Sequence, residues 1–110
     1  MNGSILRCVS LSSILLSLST FAQVPQYQLD LQWPRIPMGD NWLTGGIGGM
    51  CIDRRDHVFL LNRQNVVEAD LDGAKLAPPI IELNPQGEVV RGWGDSEVLG
   101  PRLHDCHVEQ

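Results

Sequence analysis

Two short β-rich runs, Ile80-Ile81-Glu82-Leu83 and Val89-Val90-Arg91-Gly92-Trp93, flank the tetrapeptide Asn84-Pro85-Gln86-Gly87. Proline presets the first central residue of a turn and glycine closes it, so the stretch predicts a β-hairpin. Alternation along the first run places Ile81 and Leu83 on one face and Ile80 and Glu82 on the other. A hairpin alone is marginal in water and needs further strands beside it. What the rest of the chain must supply is therefore a sheet.

The N-terminus reads as a signal peptide over residues 1–22. A single charge, Arg7, precedes an apolar and serine-rich run from Cys8 to Phe21, and Thr20-Phe21-Ala22 sets small residues at the two positions that a signal peptidase inspects. The run is short for a membrane span and serine interrupts it, with a poorly anchored N-terminal helix as the alternative. No small-residue pair precedes Cys8, which speaks against lipid attachment there. Cleavage leaves residues 23–110, one small secreted or periplasmic domain with no membrane span. A core that thin ordinarily needs support from metals, disulfides or partners.

The formal net charge is −5, and it becomes more negative when Arg7 leaves. With no basic patch in the mature part, nucleic acid and anionic membrane are poor partners, and the sequence indicates no other. Cys51 and Cys106 remain in a compartment that permits disulfides; a bridge between them is open, but their spacing does not imply one.

In chain order, Gln23 to Pro37 carries Pro25, Pro34 and Pro37 around the alternating run Tyr27-Gln28-Leu29-Asp30-Leu31. This predicts an edge strand followed by an extended lead-in, since the prolines forbid a central strand. The glycine-rich run Gly45-Gly46-Ile47-Gly48-Gly49 lacks the Lys and Ser or Thr of a phosphate-cradling loop. Its glycines are better read as letting the backbone turn tightly beside packed neighbours. Met50-Cys51-Ile52 and Val58-Phe59-Leu60-Leu61, joined by the charged turn Asp53 to His57, form a second hairpin. His57 is expected to be a solvated turn residue, and the three tryptophans to serve packing.

Gly49-Met50-Cys51-Ile52-Asp53 and Asp105-Cys106-His107-Val108-Glu109 share a pattern: a small or turn residue, three strand-type residues, then an acid. A four-stranded unit followed by the first strand of another is the sequence form of a β-propeller. The segments 48–53, 58–65, 77–87, 90–94 and 100–108 together resemble the NHL-repeat six-bladed propellers. Within them, the chain is similar to secreted bacterial proteins of the peptidyl-α-hydroxyglycine α-amidating lyase type. The expected fold is thus all-β, with about one four-stranded blade and the first strand of the next. Residues 23–48 form the edge strand and lead-in, 49–94 the first blade, and 95–110 a truncated start of the second.

The resemblance implies more. An N-terminal edge strand, here Tyr27 to Leu31, would close the ring against the last blade. A catalytic zinc is held on the propeller axis by three histidines from different blades, one of which matches His104. A calcium is bound partly by backbone carbonyls at positions matching Met50 and Cys106. Arg63 matches an active-site arginine whose fork would engage an anionic or oxygen-rich substrate group. The chain departs from the pattern where Asp105 follows His104 in place of glycine. The remaining zinc ligands, the catalytic tyrosine and a second arginine would lie in further blades. A lyase zinc requires three protein ligands and an open position, so this chain alone is expected to be inactive. A local zinc site from His104, Cys106 and His107 is disfavoured, because alternation sends His107 to the opposite face. The first expectation is a binding scaffold; the second is a zinc-dependent lyase-like enzyme in a complete ring.

Overall fold

The structure is a computed structural model and describes residues 22–109; all of the expected signal peptide but Ala22 lies outside the described residues. In chain order it contains β1 (Trp42–Leu43), β2 (Ile47–Ile52), β3 (Val58–Asn62), a 3-10 turn (Glu68–Asp70), β4 (Lys75–Leu76), β5 (Ile80–Leu83), β6 (Val89–Trp93) and the single-turn helix α1 (Ser96–Leu99). The chain is thus a small all-β domain, and among the described residues no helix is long and apolar enough to cross a membrane.

Four strands form an antiparallel sheet in the order β2-β3-β5-β6, and β1 pairs in parallel with β4 as a separate two-stranded element. The hairpin of β5 and β6 closes where its turn chemistry predicts. The Gly87 N–H donates to the Asn84 carbonyl at 2.9 Å and the Asn84 N–H to the Glu88 carbonyl at 2.9 Å. Gly87 has φ of +80°, a conformation glycine adopts without steric cost. The β2-β3 hairpin joins this one through β3 and β5, which pair Val58 with Leu83 and Leu60 with Ile81.

Directly paired residues share a face, so Val58, Leu60, Ile81 and Leu83 point to one side. There they meet Met38 and Ala77, with Trp33, Trp42 and Val89 packed around them. Ile81 and Leu83 are fully buried, each worth roughly 1.5–3 kcal/mol relative to exposure. The lead-in therefore serves as the lid of the core. Its earlier part does not form the expected edge strand: residues 27–31 take no strand conformation, and Tyr27, Leu29 and Leu31 are exposed. A strand exists through its ladder bonds, and among the described residues no strand lies beside this run. The segment after α1 is likewise irregular over 102–109, where the opening strand of a second unit was expected.

Asn62, at the end of β3, ties the small element to the large one. It is buried, and its Oδ1 accepts from the N–H groups of Gly45 (2.8 Å) and Gln64 (3.2 Å). Its Nδ2 donates to the carbonyls of Ala77 (2.9 Å) and Pro78 (3.2 Å). Asn62→Leu orphans several of these groups and is expected to cost about 3 kcal/mol. The check is urea unfolding, read as a lowered midpoint at unchanged slope; an unchanged midpoint would show that the network contributes nothing.

Candidate functional site

Two groups of polar side chains stand out. The first is built where Arg63 leaves β3. The Arg63 N–H donates to the Gly46 carbonyl at 3.0 Å, and the Asn65 Oδ1 accepts from the Gly46 N–H at 2.6 Å, so the glycine run is laced to the end of β3. The Arg63 side chain then reaches the segment after α1. Its Nε donates to the Leu103 carbonyl at 3.2 Å, and its Nη2 lies 3.3 Å from His104 Nδ1. The approach is permitted by two missing side chains. A Cβ on Gly48 would strike the Leu103 carbonyl oxygen, and one on Gly49 the His104 carbonyl oxygen.

Cys51, two residues on from Gly49, is disulfide-bonded to Cys106 with a Cα–Cα distance of 5.7 Å. Structure thereby settles the pairing that spacing left open. It also sets Met50 and Cys106 on adjacent segments, with the Met50 side chain exposed and Cys106 half-buried. A surface cavity of about 300 Å³ beside the pair is lined by Arg63, Gln64, Leu76, Ser96, Gly100 and Pro101. Among the described residues no carboxylate pairs with Arg63, which leaves a half-buried guanidinium able to grip an anionic or oxygen-rich group.

Zinc does not fit at His104 with the described residues alone. Its Nδ1 faces a guanidinium, and the one group of three grouped ligand side chains among the described residues, Asp53, His57 and Glu82, does not include it. The local zinc site from His104, Cys106 and His107, which alternation already disfavoured, is closed as well, because the Cys106 sulfur is in the disulfide.

The second group surrounds Glu82. Asp53 follows β2 and shapes the turn: its Oδ1 accepts from the N–H groups of Arg55 (2.8 Å) and His57 (3.0 Å). The turn thus delivers His57 to the sheet face that carries Glu82, which pairs across the strands with Phe59 and Arg91. Glu82 is 1% exposed. Its Oε1 lies 2.8 Å from His57 Nδ1 and accepts from Arg55 Nη2 at 3.2 Å, while its Oε2 accepts from Arg91 Nε at 2.6 Å. Arg91 is held in turn over the Trp93 ring, 4.5 Å from its centroid, and Trp93 meets Phe59 edge-on at 6.1 Å.

Burial pushes the Glu82 carboxyl up, but the bonds from His57 and Arg91 and the charges of Arg91 and Arg55 outweigh it, leaving the group below its ordinary value. Asp53 is also held low: desolvation opposes, and the Arg55 side chain with the N–H groups of His57 and Arg55 prevails. Ligand atoms of Asp53, His57 and Glu82 lie within 4.8 Å of one another, a spacing that suits a metal ion. Yet Arg55 already occupies Asp53 Oδ2 (2.7 Å) and reaches Glu82, and Arg91 occupies the other Glu82 oxygen. An ion would have to displace cations already in place, so the cluster is an ion-pair network around a buried carboxylate.

The structure therefore brings two of the expected site residues, Arg63 and His104, together, and it places Met50 and Cys106 close by along the chain. The expectation of a solvated His57 is corrected: its side chain is 17% exposed and pairs with Glu82. Sequence reasoning missed the cluster, although the predicted hairpin sets an acid, Glu82, within cross-strand reach of a base, Arg91. No family model matches the chain, and no curated protein or solved structure matches it significantly.

Proposed function

We propose that the chain contributes the first blade of a secreted NHL-type β-propeller that acts as a binding scaffold. The observation that carries this reading is the antiparallel meander β2-β3-β5-β6, followed by a segment that returns to lie against its first strand at Gly49 and Cys51. Successive propeller blades stack in that way. The other side of β2 supports the same reading. Ile47, Met50 and Ile52 pair with Asn62, Leu60 and Val58 and so share the core face, yet they are 43%, 62% and 54% exposed. An apolar row left uncovered on a first strand is what a neighbouring blade would pack against.

Met50 in the native secreted product is accordingly expected to resist oxidation by dilute peroxide, read by mass spectrometry of its peptide. Oxidation at the rate of a free methionine would remove the propeller reading. Intact mass with sequencing of the C-terminal peptide complements it by showing which further blades to read for axial histidines.

A second reading, a lyase-like enzyme in a complete ring, is favoured by one observation, the Arg63 guanidinium that lines a surface cavity with no carboxylate partner among the described residues. It requires zinc ligands from other blades. A native product that holds zinc stoichiometrically, cleaves a peptidyl-α-hydroxyglycine and loses that activity in Arg63→Leu supports the enzyme; a metal-free, inert product leaves the scaffold.

A further inference from the structure

Residues 103–109 are attached to the sheet in an unusual way. Among the described residues, no backbone hydrogen bond joins them to any strand. Arg63 bonds to Leu103 and His104 at the near end of the segment, and beyond that point the covalent bridge from Cys106 to Cys51 spans a sequence separation of 55. The floor beneath Leu103 to Asp105 is the backbone of Gly48 and Gly49, which offers no side chains to interdigitate, while Val108 and Glu109 lie beside the turn from Asp53 to Arg55. Four of its residues, His104, Asp105, His107 and Glu109, are exposed.

The core lies elsewhere. Its buried residues are Met38, Val58, Leu60, Ala77, Ile81 and Leu83, on the face opposite Cys51, and no residue after β6 belongs to it. The connection to the segment contains Gly94 and Gly100, with φ of +111° and +70°, one on each side of α1. Both can change conformation at low steric cost.

We infer that the Cys51–Cys106 disulfide is a redox-operated latch: a dithiol reductant opens it and frees residues 103–109 from β2 while the four-stranded sheet stays folded. One thiolate of the reductant attacks a cystine sulfur, forming a mixed disulfide and releasing one protein thiolate, which takes up a proton. The second thiol of the reductant then displaces the other protein sulfur. The reductant ends as its own disulfide, having given up two electrons and two protons, and Cys51 and Cys106 end as thiols. Release carries His104 away from Arg63 and uncovers the face of β2 at Gly49 and Cys51. The Arg63–His104 pair thus belongs to the oxidised form. The inference does not depend on the propeller reading, because it uses contacts within this chain alone.

The test compares the oxidised full chain with the same protein in dithiothreitol, using ¹⁵N heteronuclear NOEs for mobility and amide exchange for the core. On reduction, the NOEs of residues 103–109 are expected to fall to those of a free tail, while the amides of Ile81 and Leu83 keep their protection. The Cys51→Ser/Cys106→Ser double variant must reproduce the reduced form without any reductant. Continued order in 103–109, loss of protection throughout the sheet, or a disulfide that dithiothreitol does not reduce under native conditions would each overturn the latch.

Discussion

Replacing Glu82 by glutamine is expected to lower stability at neutral pH by roughly 2–3 kcal/mol, the scale of a lost charge-assisted hydrogen bond in a buried setting. The amide keeps the shape of the carboxylate but supplies one acceptor oxygen where His57, Arg55 and Arg91 converge on two. The same substitution should flatten the decline of stability in acid. Glu82 is held below its ordinary value in the folded protein, so the folded state binds its proton less readily than the unfolded chain does. Its contribution is present in full above the unfolded value of about 4.3 and is lost as pH falls through the lower folded value. Asp53 is shifted the same way, so Glu82→Gln retains part of the acid dependence. Urea midpoints of the two proteins, taken from neutral pH down into acid, decide the matter. Equal acid slopes would mean that the cluster does not stabilise the fold.

Ile81→Ala is expected to cost about 3–4 kcal/mol, because the side chain is fully buried between strands that pair it with Leu60 and its loss leaves a cavity. In a domain of this size that corresponds to a fall in Tm of roughly 15 °C. Met50→Ala, two strands away on the same face, is the counterpart. Met50 is 62% exposed, so its truncation should stay within about 0.5 kcal/mol in the isolated chain. The two variants separate the packed from the unpacked part of one sheet face. A costly Met50→Ala would place β2 inside the core of this chain and remove the uncovered row on which the scaffold reading draws. An inexpensive Ile81→Ala would displace the core altogether.

Much of the sheet was legible because its determinants are local. The turn at Asn84 to Gly87 follows from proline and glycine at fixed offsets, and the spans of β5 and β6 coincide with the runs of β-rich residues that flank it. The charged turn from Asp53 to His57 and its two strands follow for the same reason, with β2 starting two residues earlier than the predicted blade. The glycine run also behaves as its composition implies, allowing Leu103 and His104 to approach where a Cβ would collide. Local signals misled where a strand needed a partner: residues 27–31 alternate perfectly well, but alternation makes a strand only beside another. The two-residue pairing of β1 with β4 carries no sequence signature at all, being held by contacts between distant loops.

The functional groups divide along the same line. Composition and alternation determined by themselves that the chain is all-β, which hairpins it contains and which side chains share a face, because each of these depends on neighbours within a few residues. Only the tertiary structure decided that Cys51 is bonded to Cys106, that Arg63 meets His104, and that Glu82 is buried under His57 and two arginines. Those meetings depend on register between strands and on one segment crossing another. The energy of each is realised only when residues far apart in sequence have already been brought together by the packing of the sheet.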